Sequence, residues 1–549
     1  MNRASASPPA STRSRAAGAR ALGLSALALL SLSTWACGLS QNGVVPPDDT
    51  FFYPTSGAMN PIDPAAQWLY VANSNADLRF NDGTLVMVDL AKAHDDRFVK
   101  GGSFGVCPQA DYVNPLPRSQ TPTCCWDLLD ASILNCDERQ YIRADGTVLI
   151  GSFAAQMVWQ SDCADSDPCA PDSAKSCVPD PDTGALPAGR LLIGVRGNTS
   201  LTYVDVAPVG WPGNGEPYPA FHCTGDVATT SMAECNQTVT DTSSSLAIES
   251  GDPQAPATPL PDEPYALALD DARGYLYVGH LVGSTSSPGT GGVSLFNVSG
   301  TSLISPPGFP PPPKFIAPFG SPFPPSSSGL VGVTALKMHA PLGGVDVATE
   351  RQLFVSSRYV PLVSSMLPLG PSICYGDDND DVLVPAGNTL SSNLVGSEMR
   401  GVEFIDPPMG SELNYAQRAY ALQRVPPDLV GFDIAINNAG AATATPTDVL
   451  ETCSSPTFLY QHDSGEGPRL FVNCFDTGEV YVFDPAVPTL LTTFGVGRGP
   501  AGMVFDTGRP LAYVLDFSQN DVSVVDLAPK SPTQYHVIQR LGFPSVTPR

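Results

Sequence analysis

The chain has 549 residues, 42% of them apolar, enough to bury a sizeable core. Charged residues make up only 15%, while 50 glycines and 56 prolines interrupt the chain often; that mix excludes long charged surface helices and suits short strands joined by turns. With 54 acidic against 28 basic residues the formal net charge is −26, which repels a phosphate backbone and excludes nucleic acid as a partner.

The first stretch reads as an address rather than as fold. Arg3, Arg13, Arg15 and Arg20 precede the first acid, Asp48. The apolar run ALGLSALALLSL over 21–32 is too short to span a bilayer, which takes about 20 residues. It leads into STWACGLS over 33–40, with Ala36 before Cys37 and Gly38 after it. This resembles the bacterial lipobox, whose cysteine is lipidated and becomes the mature N-terminus. Thr34 and Trp35 depart from the Leu and the small residue that the pattern prefers. The resemblance implies a signal peptide over 1–36, lipidation at Cys37 and a tether over 37–55. The body is then extracytoplasmic and touches a membrane through its lipid anchor alone, with Gly38 favouring the outer membrane. The alternative is ordinary signal-peptidase cleavage that releases a soluble secreted protein.

Beyond the tether a strand–turn–strand unit recurs. LYVAN (69–73) is followed by LVMVD (85–89), LLIGV (191–195) by LTYVD (201–205), and LYVGH (276–280) by VSLFN (293–297). LFVSS (353–357) is followed, after a long insertion, by VEFID (402–406), LFVNC (470–474) by VYVFD (480–484), and AYVLD (512–516) by VSVVD (522–526). Each half is a short run of β-branched and aromatic residues bounded by turn formers. A further strand precedes the pair, as in YALALDDARGYLYV (265–278) and AGMVFDTGRPLAYV (501–514). The closing Asp or Asn of each unit is expected to cap the turn after its strand by accepting from backbone N–H groups. Insertions fall at about 92–140, 160–188, 207–262, 299–330 and 361–399, the fourth of them Pro-rich.

Setting Cys37 aside leaves an even number of the 13 cysteines, nine of them between 107 and 235. In an oxidising compartment these read as disulfide staples. Cys453 and Cys474 flank the turn near Ser464 at similar distances and are the candidate pair. No C-x-x-C or C-x-x-C-H occurs, which removes thioredoxin-like chemistry and c-type haem attachment.

The segment VGRGPAGMVFDTGRPLAYVLDFSQNDVSVVDL (496–527) and the shorter LYVANSN (69–75) resemble the YVTN family of bacterial β-propeller repeats. The resemblance implies an all-β fold, a single β-propeller over 56–549 with long disulfide-rich and Pro-rich loop insertions. Six units are clear; AYALQRVPPDLVGFDIAI (419–436), read as the outer strand of one blade and the inner strand of the next, makes seven blades the expectation and six the alternative. The terminal YHVIQRLGFPS (535–545) is expected to complete the first blade as its outer strand.

No nucleotide-binding, zinc-protease or nucleophile-elbow motif is present, and no catalytic residue is assigned. DDNDD (377–381) holds enough carboxylate for Ca²⁺ but lacks the EF-hand spacing; no cofactor is expected, and Ca²⁺ is the one metal the sequence leaves open. Repeat-equivalent residues at or just after the end of the LYVxN strand, Asn73, Arg196, His280, Arg358 and Asp516, are the candidate ligand-binding ring at one mouth of the channel. The reading is a lipid-anchored, extracytoplasmic, non-catalytic binding or scaffold protein of the cell envelope. Its partner is an envelope protein, a glycan or a small ligand. The alternative is a propeller-mouth hydrolase of lactonase-like type.

Overall fold

The structure is a computed structural model. It describes residues 43–542 apart from 109–122, 162–185, 240–259, 299–313, 321–331, 340–351, 369–382, 392–396, 406–416, 437–441 and some shorter stretches. Cys37 and the acidic run at 377–381 lie outside the described residues. Residues 46–549 form one compact unit.

Seven sheets follow one another along the chain, each built on an antiparallel meander of four strands. Their first strands are Pro54–Met59, Ala154–Ser161, Pro264–Asp270, Val333–His339, Ser397–Ile405, Pro456–Asp463 and Pro500–Phe505. These pack against one another in order, and the last against the first, so they line the centre of a seven-bladed β-propeller. The second strands are Trp68–Asn73, Gly189–Val195, Tyr275–His280, Gln352–Ser357, Gln417–Val425, Pro468–Cys474 and Leu511–Asp516. Third and fourth strands complete each blade outward.

The near-continuous apolar runs have a direct cause. Successive side chains of a strand point to opposite faces, and both faces of a blade are covered by neighbours. Leu69 and Val71 pack on Tyr513 and Leu515 of the seventh blade. Tyr70 and Ala72, between them in sequence, pack on Leu191 and Ile193 of the second. The same exchange fills every other seam, for example Phe354 against Phe404 and Phe471 against Val514.

Three of the closing acids cap the turn after their strand as expected. Asp89 accepts from the backbone N–H of Lys92 at 2.9 Å, Asp484 from that of Ala486 at 2.8 Å and Asp526 from that of Ala528 at 2.8 Å. A second role was not anticipated. Arg190–Asp205 (2.6 Å), Arg418–Asp433 (2.7 Å) and Arg469–Asp484 (3.4 Å) join the start of a second strand to the end of the third in three blades.

Three expectations are corrected. The terminal strand His536–Leu541 is the outer strand of its own blade, paired with Asp521–Asp526, because the first blade already has an outer strand in Val148–Leu149. Closure runs the other way: the first blade's long insertion reaches across and adds Leu134–Cys136 and Cys124–Trp126 to the edge of the seventh. Next, VEFI (402–405) belongs to the first strand of the fifth blade, Ser397–Ile405, and 419–436 supplies that blade's second and third strands, Gln417–Val425 and Asp428–Ile436. Finally, the supposed insertions at 207–262, 299–330 and 361–399 contain blade strands, Ala220–Cys223 in the second blade, Lys314–Gly320 in the third, and Leu362–Pro368 and Leu383–Ser391 in the fourth.

Disulfides join Cys107 to Cys125, Cys124 to Cys136, Cys223 to Cys235 and Cys453 to Cys474. Bonds of this kind form in oxidising, extracytoplasmic compartments. Among the described residues no helix is long and apolar enough to cross a membrane.

Candidate functional site

The face of the ring that carries the turns between second and third strands is built by one repeated irregularity. In all seven blades the first strand shifts register close to its start: between Pro54 and Ser56, Ala154 and Met157, Pro264 and Ala266, Val333 and Ala335, Met399 and Gly401, Pro456 and Leu459, and Pro500 and Gly502. A β-bulge leaves its extra residue without a cross-strand partner and re-aims its side chain. The residues so released are Thr55, Ala155 and Gln156, Tyr265, Thr334, Arg400, Thr457 and Phe458, and Ala501.

Most of them line a cavity of about 260 Å³ at the channel mouth. Five rings dominate its wall: Phe153, Tyr265, Phe458, Phe475 and Phe517. Phe475 and Phe517 lie 5.8 Å apart, and Tyr53 continues the row at 5.0 Å from Phe517. Two polar atoms aimed at this region have no protein partner, the buried Ser74 Oγ and Arg196 Nε. The Arg196 guanidinium also bonds Glu263 at 3.0 Å and lies 6.0 Å from the Tyr265 ring.

The threonine hydroxyls on this wall are already in use. Thr55 Oγ1 donates to Ala154 O of the next blade at 3.0 Å and lies 3.3 Å from Ala72 O of its own. Thr457 repeats this with Pro500 O and Asn473 O, and Thr334 with Met399 O and Ser356 O. These bonds tie each inner strand to the following one. Gln156 does the same, accepting from the Leu267 N–H at 2.7 Å.

Of the five residues expected to ring the mouth, the structure places two on the rim and three inside the blades. Asn73, His280 and Asp516 are fully buried. Each ends a second strand, directly opposite the first residue of the inner strand (Pro54, Pro264 and Pro500), which covers it. Asn73 Nδ2 donates to Thr84 Oγ1 at 2.9 Å, and its Oδ1 accepts from the Phe52 N–H at 3.2 Å. His280 Nε2 pairs with Ser294 Oγ at 2.9 Å, and burial lowers its pKa to about 3, so the ring is neutral. Asp516 accepts from Ser523 Oγ at 2.6 Å. Arg196 lines the aromatic cavity.

Arg358 lies at the junction of the fourth and fifth blades, where it donates to Glu398 at 2.9 Å. Among the described residues, no group of three or more His, Cys, Asp or Glu is placed to hold a metal ion.

The sequence reading missed the bulge residues. Their signal was the proline that opens four of the inner strands, since Thr55, Tyr265, Thr457 and Ala501 each follow one.

No family model matches the chain, and no curated protein does. Solved structures of similar shape include Kuenenia stuttgartiensis hydrazine synthase, with TM-score 0.41, 11% identity, and 90% of this chain and 100% of that chain covered. Another is a putative 6-phosphogluconolactonase from Bacteroides fragilis, with TM-score 0.40, 12% identity and coverage of 82% and 86%. A third is the Cps50 (Swd1) β-propeller domain of Myceliophteria thermophila, with TM-score 0.41, 7% identity and coverage of 86% and 96%. None of these likenesses bears on activity; the propeller itself rests on the strand order.

Proposed function

We propose that this chain is a non-catalytic binding protein of the cell envelope, lipid-anchored through Cys37, that takes a small ligand into the aromatic mouth of the propeller. The observation that carries the reading is the chemistry of the wall: five rings, with Ser74 Oγ and Arg196 Nε as unpartnered donors. A concave, largely apolar cavity with few convergent polar groups is the usual form of a small-ligand site. The ligand expected is a planar or sugar-like ring bearing one acceptor group. Hydrolysis would need an activated nucleophile beside a base, whereas Thr55 and Thr457 spend their hydroxyls on backbone carbonyls.

The test is a thermal-shift and calorimetric screen of the purified protein with phenylacetate and methyl glycosides as probes, with and without Ca²⁺ and chelator. A probe at 100 times its Kd is expected to add roughly 2.7 kcal/mol to stability, and the effect is expected to be lost in Ser74→Val and Arg196→Gln. Binding unchanged in both variants, or turnover of a sugar lactone that those variants abolish, would overturn the reading. The anchor is tested separately: Cys37→Ser is expected to abolish labelling by a palmitate analogue and to move the protein from membrane to soluble fraction.

A further inference from the structure

Arg400 is the bulge residue of the fifth blade, the position that elsewhere in the ring supplies the mouth lining. It is nine-tenths buried, and its Nε has no partner. Its Nη2 lies 3.3 Å from Glu398 Oε2. Two more guanidiniums close on the same carboxylate, Arg358 Nε at 2.9 Å from Oε1 and Arg424 Nε at 3.6 Å from Oε2. Arg424 also reaches Ser455 Oγ at 3.4 Å. Burial pushes the Glu398 carboxyl upward, but Arg400, Arg358 and Arg424 together hold it below the usual carboxylate range. It is therefore ionised, and the cluster keeps two positive charges in excess.

Three arginines around one acid are not needed to balance that acid. In a chain of net charge −26 they are also a local reversal of sign. The cluster faces an open cavity of about 670 Å³ lined by Arg358, Tyr359, Glu398, Arg424 and Val425. The Tyr359 ring beside it is seated over Gly332, where a Cβ would come within 2.5 Å of the ring. Gly332 also has φ +45°, a conformation that favours glycine.

We propose that the junction of the fourth and fifth blades is an oxyanion site, which takes a doubly charged sulfate or phosphate group on the free N–H donors of Arg358 and Arg424, with Arg400 behind them. Guanidinium forks match such groups in shape and charge. The two excess charges match a dianion, and Glu398 holds the forks apart and in place. The site is separate from the aromatic mouth and does not depend on a ligand there.

The experiment measures melting temperature and calorimetric affinity of the purified protein in sodium sulfate and sodium phosphate against sodium chloride at matched ionic strength. Sulfate stabilises proteins generally by exclusion, so the comparison that decides is with Arg358→Gln/Arg424→Gln, two exposed or half-exposed positions. Saturable binding is expected in the wild type, with affinity falling about tenfold for each guanidinium removed. Glu398→Gln, which keeps an acceptor oxygen to hold the forks and removes the competing charge, is expected to bind more tightly. A phosphorylated monosaccharide run beside inorganic phosphate, both largely dianionic at about pH 8, separates the sources: tighter binding of the ester identifies a saccharide packed on Tyr359, and equal binding identifies the free ion. Absence of saturable binding in the wild type, or an unchanged response in the double arginine variant, would overturn the proposal.

Discussion

Asp516 and Asp521 face each other across the second and third strands of the seventh blade, directly paired in register and both fully buried. Asp521 accepts from Gln519 Nε2 at 2.7 Å, Asp516 from Ser523 Oγ at 2.6 Å. Burial raises both pKa values, Asp516 well above the ordinary value with the nearby Asp521 charge adding to the rise, Asp521 to about 6. A carboxyl whose pKa is higher folded than unfolded favours the fold while it is protonated. That contribution is complete below about pH 4 and is lost as pH rises through about 6.

The pair is therefore expected to oppose ordinary acid denaturation. Asp521→Asn keeps the acceptor for Gln519 and removes the charge. It is expected to stabilise the protein at pH 7 by on the order of 2–3 kcal/mol, with the gain vanishing by pH 4. Urea unfolding of the two proteins at several pH values checks this, and parallel pH profiles would show that the buried pair is not the titrating group.

Arg190 is buried against Asp205 at 2.6 Å with its guanidinium over the Tyr203 ring at 4.6 Å. Burial raises the Asp205 pKa, while Arg190 pulls it back down. Arg190→Ala strands a buried carboxylate and is expected to cost about 3–5 kcal/mol, whereas Arg190→Met combined with Asp205→Leu is expected to recover most of that loss. Denaturant midpoints at constant slope measure both. A double variant as weak as the single one would mean that the ion pair itself, rather than the relief of an unpaired charge, sustains the second blade.

The same pairs explain what was legible in the sequence. Second and third strands are covered on both faces, so they appear as short unbroken apolar runs; both were read directly in five blades, and in the fourth only the second strand, Gln352–Ser357, was. The fourth and fifth blades were misread because the fifth blade's inner strand, Ser397–Ile405, ends in VEFI, which imitates a third strand; its Glu403 is in fact buried against Lys337 of the neighbouring inner strand at 2.6 Å. The spacing of 15 residues from Arg418 to Asp433, shared with Arg190 to Asp205, would have identified the true pair. The mouth was less legible. Which residue leaves the ladder is set by a register shift between two strands, and composition carries no record of it. Counting from the end of the second strand therefore selected Asn73, His280 and Asp516, one strand too far from the channel.

The seam between the first and last blades leaves no room at Gly502. A Cβ there would come within 2.8 Å of Thr55 O, a backbone atom of the facing inner strand, and 3.1 Å of Leu515 Cδ1. Gly502→Ala is expected to destabilise by about 1–3 kcal/mol through overpacking. Gly495→Ala, with nothing within 4 Å of the new carbon, is expected to be neutral or slightly stabilising. Thermal melts of the two variants check the contrast, and equal melts would show that the seam can open at no cost.

The clasp across that seam makes the last prediction. Leu134–Cys136 runs parallel to His536–Leu541, the Gly542 N–H donates to Cys136 O at 2.8 Å, and Arg97 Nε donates to Ile538 O at 2.9 Å. The Cys124–Cys136 disulfide, with 12 residues of separation, holds the added strands together. Without it the outer strand of the seventh blade becomes an exposed edge, which invites fraying or pairing with another chain. Cys124→Ser/Cys136→Ser is expected to lose roughly 3 kcal/mol of stability. Amide exchange is expected to quicken over 536–541 while the corresponding strand of the sixth blade, Thr489–Gly495, keeps its rate. Exchange rates that rise equally in both strands would assign the disulfide to global stability alone, and unchanged rates would show that hydrogen bonds hold the clasp without it.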